Sequence, residues 1–252
     1  MNRFLLLAAA AALLTTPALA ADLAATGGYK DAPIISTPAN WTGFYVGGNV
    51  GGAWTQLDSS LNLSDGLGDT LNLNHTNAAS GIAGGGQAGY NFQNGALVLG
   101  VEGDFGILGV SQTRDVVALT AGTDSIALGT KLDGGFAADI TGRIGYAAGP
   151  ALLYFKGGWA YLDATVGIDA PSPYNVQKSG FSGWTLGGGM EYLLSPNWSV
   201  KAEYQYFDFG SVALDPIGKA DSTLVGKYPI NNDLTANVVK VGLNYHIGAL
   251  LK

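Results

Sequence analysis

Three features of this sequence contain residues whose type and spacing could carry out chemistry or bind ions, and the first is a run of glycines. Residues 84–89, GGGQAG, fit the dinucleotide-binding pattern G-x-G-x-x-G. That chemistry needs a strand before the glycines and a helix after them, so that the helix N-terminus can hold the pyrophosphate. Here the glycines lie inside an alternating stretch that continues to Phe92. We therefore expect them to relieve crowding within a strand, and we predict no cofactor.

The second feature is histidine, a residue type often used in acid–base catalysis and metal binding. The chain has two histidines, His75 and His246, and no cysteine. Two histidines so far apart do not indicate a metal cluster, and no serine adjoins His246 in the sequence. We predict no catalytic and no metal-binding residue.

Aspartates are common in the polar stretches and could bind divalent cations. Their spacing does not match that of a calcium-binding loop, so we expect most of them to form a solvated surface. They are Asp58, Asp65, Asp69, Asp115, Asp124, Asp215, Asp221 and Asp233.

The first twenty residues predict export from the cytoplasm. Arg3 precedes an apolar run over residues 4–14 and a small-x-small sequence that ends at Ala20, the pattern of a signal peptide. The apolar run is shorter than the roughly 20 residues that a transmembrane helix needs. Cleavage would leave 11 Lys and Arg against 19 Asp and Glu, a net charge of −8. Such an acidic chain is not expected to bind nucleic acid.

Eight windows of the chain alternate with a period of two residues, as β-strands with two different faces do. The windows are 44–54, 82–92, 97–107, 136–146, 153–161, 184–192, 198–206 and 239–247. One face carries no charge in any window. The other face holds nine charged residues: Glu102, Asp104, Asp139, Arg143, Lys156, Glu191, Lys201, Glu203 and Lys240.

This segregation fits either a soluble sandwich with a dry core or a membrane barrel with a lipid-facing exterior. The window lengths match those of strands that cross a bilayer. The connections alternate between tight turns at 93–95, 148–150 and 195–197 and long polar stretches, expected to be loops, at 55–81, 108–135, 162–183 and 207–238. Alternation of short turns and long loops is typical of outer-membrane barrels.

Aromatic residues of the uncharged face stand near both ends of the windows, as the two interfacial girdles of a membrane barrel require. They are Phe44, Trp54, Tyr90, Phe92, Phe105, Phe136, Tyr146, Trp159, Tyr161, Trp184, Tyr192, Trp198, Tyr206 and Tyr245. The pattern predicts an all-β fold: an eight-stranded antiparallel up-and-down transmembrane barrel with short periplasmic turns and long extracellular loops.

The charged face must then point into the barrel, because a Lys or Arg on the lipid face at mid-bilayer costs about 2 to 4 kcal/mol. Five acids and four bases can pair in the interior, and we expect Glu102 and Asp104 to face Arg143. Side chains just fill an eight-stranded barrel, which favours a plugged interior. Inward glycines such as Gly89 and Gly189 leave the alternative of a narrow, water-filled pore open.

The ends of the chain resemble a known family. AADL and KDAPI after the signal sequence, WTGFYVGGNVGG at 41–52 and VVKVGLNY at 238–245 are similar to segments of the alphaproteobacterial outer-membrane immunogenic proteins. These are small porin-like surface barrels, related in architecture to OmpA-type barrels and opacity proteins. The resemblance implies an outer-membrane barrel and assigns no catalytic residue, although some barrels of this size are lipid A deacylases. The sequence departs from such barrels at Ile247, where a terminal aromatic residue is usual.

We expect three regions: a signal peptide over 1–20, a periplasmic N-terminal tether over 21–40 and the barrel domain over 41–252. The leading hypothesis is a non-enzymatic, surface-exposed, antigen-like barrel in the cell outer membrane. A narrow porin-like channel and loop-mediated adhesion or recognition are the alternatives. The expected partners are outer-membrane lipids, lipopolysaccharide and the outer-membrane assembly machinery, with a monomer as the expected state.

Overall fold

A computed structural model describes residues 39–64, 70–121, 124–169, 176–214 and 230–247, and nearly all of them lie in strands. The strands are β1 (Gly43–Ser64), β2 (Thr70–Asn94), β3 (Leu97–Ala121), β4 (Asp124–Asp133), β5 (Phe136–Ala148), β6 (Ala151–Asp169), β7 (Val176–Ser195), β8 (Trp198–Leu214) and β9 (Ile230–His246). The predicted all-β antiparallel fold is confirmed. Within these residues, no helix has the length and apolar character needed to span a membrane. The predicted signal peptide and almost all of the predicted tether lie outside the described residues.

The sheet closes into a barrel because the last strand pairs with the first. The β1–β9 ladder runs from Tyr45 opposite His246 to Ser60 opposite Asn231. Every other neighbouring pair around the wall is also antiparallel. Nine strands occupy eight wall positions, since β4 and β5 follow one another between β3 and β6. A break at 134–135 separates them, so the predicted number of eight holds for the wall.

The sequence predicts long polar loops at 55–81, 108–135, 162–183 and 207–238, but most of these residues lie in strands. Seven of the eight predicted windows lie within strands, and the last, 239–247, ends one residue beyond β9. Except for β5, each strand that contains a window continues well past it, and β2 and β3 each contain 25 residues. The β1–β2 ladder runs without a break from Gly43 to Ser64. Beyond the predicted windows the outward residues become polar, as at Gln56 and Asp58. The alternation that marks a lipid-facing strand ends there, although the backbone hydrogen bonding continues.

Three tight turns join the strands at one end of the barrel, which we call the short-turn end. They lie at 95–96, 149–150 and 196–197, which overlap the predicted turns at 93–95, 148–150 and 195–197. Gly95 and Gly149 have φ angles of +61° and +60°, a region that glycine enters at no steric cost. The opposite end, formed by the long hairpins, is called the hairpin end below.

The barrel has two kinds of interior. At mid-height the inward side chains are charged and polar, and a small apolar group around Trp41 lies at the short-turn end. Toward the hairpin end they form an apolar cluster, called the outer apolar cluster below, which consists of Ala53, Leu57, Ala79, Ala83, Leu108, Val110, Leu132, Ala160, Leu162, Ala164, Phe181, Phe209, Leu234, Ala236 and Val238. The sequence-based expectation of a polar interior is therefore wrong for the hairpin half of the barrel.

The barrel interior as the candidate functional site

All nine predicted interior charges point inward and are buried, with exposures of 8% or less. We call them the charge network: Glu102, Asp104, Asp139, Arg143, Lys156, Glu191, Lys201, Glu203 and Lys240. They come from strands β3, β5, β6, β7, β8 and β9. Strand pleating places alternate side chains on one face, and barrel closure turns that face into the lumen.

Lys156 forms the centre of the charge network. Its Nζ lies 2.8 Å from Glu102 Oε1, 2.9 Å from Asp104 Oδ2 and 2.9 Å from Glu203 Oε1. Glu102 and Asp104 are on β3 and Glu203 is on β8, and neither strand is next to β6 at this height. The ammonium group therefore ties walls that share no backbone hydrogen bonds.

The same three carboxylates bring oxygen atoms within 4.8 Å of one another, an arrangement that could hold a metal ion. The ammonium group of Lys156 already occupies the position between them and supplies the positive charge that a metal would bring.

Two further lysines complete the layer. Lys201 lies 3.2 Å from Glu102 and 3.6 Å from Glu203, and Lys240 lies 2.8 Å from Asp104 and 3.1 Å from Glu203.

Arg143 forms the second part of the network, nearer the short-turn end. Its Nη1 lies 3.6 Å from Glu102 and 3.3 Å from Glu191, and its Nε donates to Asn91 Oδ1 at 2.7 Å. The expected approach to Glu102 is present. Asp104, which we also expected opposite Arg143, instead forms ion pairs with two lysines, because it lies one inward position farther from the short turns.

Two inward tyrosines that sequence reasoning did not single out enclose Arg143. The guanidinium carbon lies 4.7 Å from the ring centre of Tyr45 and 5.2 Å from that of Tyr154, within the range of cation–π attraction. The Tyr45 hydroxyl donates to Glu102 Oε2 at 2.8 Å, and that of Tyr154 donates to Glu203 Oε2 at 2.6 Å. Both tyrosines have the inward parity of the charged residues, and that was the available signal.

Tyrosine side chains fill the space beside two of the inward glycines. A Cβ atom at Gly89 would lie 2.2 Å from the hydroxyl oxygen of Tyr45, and one at Gly189 would lie 2.9 Å from that of Tyr154. The space that each missing side chain leaves is therefore filled by a tyrosine from a neighbouring strand.

Trp41 closes the short-turn end of the barrel. It precedes β1, is fully buried, and its backbone N–H donates to Gln93 Oε1 at 2.7 Å. Its ring packs with Val98, Ala147 and Leu152 and contacts the His246 ring edge-on, with the ring centres 5.7 Å apart. The alternation pattern did not identify Trp41, because it lies before the first strand.

His246 has a serine neighbour that the sequence did not reveal. Its Nε2 lies 2.8 Å from Ser199 Oγ on β8. Ser199 Oγ donates its hydrogen to Glu191 Oε1 at 2.5 Å, and Asn244 Nδ2 donates to the same oxygen at 2.7 Å. The single hydroxyl proton of Ser199 is therefore directed at Glu191 and not at the imidazole. The group is buried beside Trp41.

The predicted girdle aromatics lie on the outer surface in two belts. At the short-turn end, Phe44 and Tyr90 pack with ring centres 4.8 Å apart, and Trp198 and Tyr245 at 5.1 Å. At the other boundary, the rings of Trp184 and Tyr206 are 5.6 Å apart. Between the belts most outward residues are aliphatic or small, as in Val101, Ile140 and Leu186, although Phe155 and Tyr204 are also exposed there. The candidate loop aspartates fall differently: Asp58, Asp115, Asp124 and Asp233 are strand residues, and Asp65, Asp69, Asp215 and Asp221 lie outside the described residues.

Comparison with known proteins gives a consistent picture. The profile of the outer membrane protein beta-barrel domain matches residues 6–246. The 31 kDa outer-membrane immunogenic protein of Brucella melitensis is 33% identical over 249 residues, covering 95% of this chain and 98% of that protein. The 22 kDa outer membrane protein of Rhizobium leguminosarum is 31% identical over 186 residues, covering 74% of this chain and 72% of that protein.

The 25 kDa outer-membrane immunogenic protein of Brucella abortus is 26% identical over 248 residues, covering 97% of this chain and 98% of that protein. Among solved structures, OprG from Pseudomonas aeruginosa aligns with a TM-score of 0.45 and 15% identity, covering 82% of this chain and 98% of that one. The outer membrane protease OmpT from Escherichia coli aligns with a TM-score of 0.48 and 12% identity, covering 81% of this chain and 97% of that one.

Proposed function

The chain belongs to the outer membrane protein beta-barrel family and lies in the outer membrane, and from that premise we propose that it is a closed, non-enzymatic barrel that acts through its cell-surface end. The observation that carries this proposal is the filled interior. Three successive layers occupy it: Trp41 and its apolar neighbours, the charge network, and the outer apolar cluster.

Closure argues against the alternative of a narrow channel. An ion that enters from the short-turn end first meets Trp41 and then an ion-pair layer that ties opposite walls through Lys156. On the far side it meets apolar side chains that offer no replacement for its hydration shell. Each of these layers would have to rearrange before a hydrated ion could pass.

The Ser199, His246 and Glu191 group does not favour hydrolysis. A nucleophilic serine needs a general base that takes its proton, usually an imidazole. Here the proton points to the carboxylate, and the hydroxyl group is fully buried. We interpret the group as a support for the last strand, since it links β7, β8 and β9 through side chains.

The length of the strands favours a role at the cell surface. A tilted strand crosses the hydrocarbon with about 9 to 11 residues, whereas β1 has 22 and β2 has 25. Short turns face the periplasm in barrels of this kind, so the excess length extends outward from the cell. It extends the paired strands beyond the membrane and leaves the long connections on the cell surface, which suits an antigen-like or recognition role. Lipopolysaccharide and membrane lipids would contact its outer face, and the assembly machinery would insert it as a monomer.

Conductance in a planar bilayer tests the closed state. The refolded full chain should give no steady, ion-selective current steps when insertion is verified by resistance of the barrel to added protease. A general porin reconstituted at the same protein-to-lipid ratio is the positive control. Steps whose number rises with the amount of inserted protein would establish the channel alternative.

The surface role is tested by shortening one hairpin in register. Joining Ser59 to His75 through a two-residue turn removes the outer part of β1 and β2 between two residues that already pair. The barrel should still assemble, and antibodies raised against the full barrel should lose binding on intact cells. Unchanged binding, with correct assembly of the shortened protein, would contradict a surface role for this hairpin.

A further inference from the structure

Asp139 is the one carboxylate of the charge network without an ion-pair partner among the described residues. Its Oδ2 accepts a hydrogen bond from Gln205 Nε2 at 3.1 Å. Its Oδ1 has no hydrogen-bond partner, although the side chain is only 5% exposed. The Oε1 atom of Gln205, which is fully buried, also lacks a partner. Two buried acceptor atoms are therefore unsatisfied next to each other.

A cavity of about 70 Å³ lies against these two side chains. Its floor includes Asn49, Asp104 and Lys240 from the charge network side, and its roof is apolar, with Phe207 and Phe209 on β8. Since one water takes up about 30 Å³ of the liquid, the space is large enough for a small ion with a water molecule. The cavity lies where the charge network meets the outer apolar cluster.

The nearby lysines cannot turn to Asp139 without breaking existing ion pairs. Asp139 lies directly opposite Asp104 on the neighbouring strand. The two oxygens of Asp104 are already held by Lys240 at 2.8 Å and Lys156 at 2.9 Å. Five acids and four bases form the network, so one negative charge is uncompensated when all nine are ionised, and Asp139 is the carboxylate without an ion pair. Buried charges of this kind are ordinarily paired or bound to a metal ion.

We propose that this cavity binds one small monovalent cation of the size of sodium, held by Asp139 Oδ1, Gln205 Oε1 and water. Carboxylate and amide oxygens are the ligands that hard cations prefer. One positive charge completes the balance of the network, whereas a divalent ion would leave an excess positive charge beside Lys240. Asp139 and Gln205 form none of the ion pairs that tie the walls together in the proposed closure, so the two proposals can fail separately.

The first experiment measures thermal unfolding of the refolded full chain in zwitterionic detergent. Sodium chloride is compared with N-methylglucamine chloride at equal ionic strength, because the larger cation does not fit the cavity. A ligand that binds only the folded state raises the unfolding temperature with its concentration. At a sodium concentration tenfold above Kd we expect a rise of about 3 to 5 °C for a barrel of this size.

The Asp139→Asn variant keeps the side-chain shape and should lose this sodium dependence. The matched control is Asp163→Asn, which removes an exposed carboxylate on the outer surface and should keep it. A sodium dependence that persists in Asp139→Asn would overturn the proposal, since the effect would then come from another part of the molecule. Equal unfolding temperatures of the wild-type protein in the two salts would also overturn it and would point to a proton as the neutralising species.

A second measurement does not depend on any variant. Crystals of the wild-type protein that was refolded and crystallised in the presence of a thallium(I) salt should show an anomalous peak within coordination distance of Asp139 Oδ1 and Gln205 Oε1. The absence of a peak in the cavity, with thallium bound elsewhere in the same crystals, would contradict the proposal.

Discussion

Replacing Lys156 with Met tests whether the interior ion pairs hold the barrel together. The substitution keeps an apolar stem of four heavy atoms and removes the ammonium group that lies 2.8 to 2.9 Å from three carboxylates. Removing one partner of a buried ion pair costs about 3 to 5 kcal/mol. Each carboxylate keeps another cation, because Lys201 or Lys240 remains beside it. We therefore expect a loss near the lower figure, about 3 kcal/mol in the free energy of unfolding.

The assay is reversible urea unfolding in phospholipid vesicles, followed by tryptophan fluorescence. Asp163→Asn serves as the control, because it also removes one charge from β6 but from an exposed position, where substitutions usually change stability by less than about 0.5 kcal/mol. Adding Glu203→Gln to the Lys156→Met variant should recover part of the loss, because it reduces the excess of negative over positive charges in the network by one. A Lys156→Met protein that unfolds within about 0.5 kcal/mol of the wild type would refute the reasoning.

Four shorter predictions address other parts of the barrel. Arg143→Leu should lower the unfolding temperature, because it leaves Glu191 without its arginine partner; unchanged stability on thermal unfolding would count against the pairing. Trp41→Ala should destabilise the barrel by about 3 to 5 kcal/mol in urea unfolding through the cavity it leaves, yet the protein should stay non-conducting in planar bilayers, since the charge network is intact. A single cysteine in place of Asp58 should react with an impermeant maleimide on intact cells, whereas one in place of Val101, in the lipid-facing band, should not; equal labelling of the two would contradict the assigned orientation. Ile247→Phe with removal of residues 248–252 should give at least as much folded barrel in membrane fractions as the wild type. A clear loss would show that Ile247 or residues 248–252 are needed for assembly.

Much of the barrel wall could be predicted from the sequence because strand geometry is simple. Successive side chains point to opposite faces, so parity alone placed Glu102 and Arg143 inside and Val101 outside. In a closed barrel one face of every strand lines the interior and the other faces outward, so the two-residue period leaves only these two positions. The contact of Lys156 with β3 and β8 could not be obtained in this way, because parity does not say which strands face each other across the lumen.

Contacts that depend on register or on residues outside the strands were also beyond the sequence pattern. Ser199 and His246 meet because Ser199 lies opposite Asn244, two residues before the histidine. Because a long connection joins β8 and β9, the alternation pattern does not determine the register in which they pair. Trp41 reaches the interior from the segment before β1, to which no alternation rule applies.

The failure to foresee the outer apolar cluster has a specific physical cause. Within the bilayer the outward residues are apolar and the inward ones are charged. Beyond Trp54 the relation reverses on the same strand, with Leu57 inward and buried and Asp58 outward and exposed. The reversal is visible in the sequence, but a search for lipid-facing apolar positions treats it as the end of the strand.

This reversal of hydrophobic parity fixes how deeply the protein sits in the membrane. Moving the barrel toward the periplasm by one two-residue repeat of the strands would place Asp58 in the hydrocarbon. Moving it toward the cell exterior would shift the Phe44 belt away from its membrane boundary. In bilayers of different thickness the lipid should therefore stretch or thin to meet the protein, and the height of the hairpins above the cell surface should stay constant.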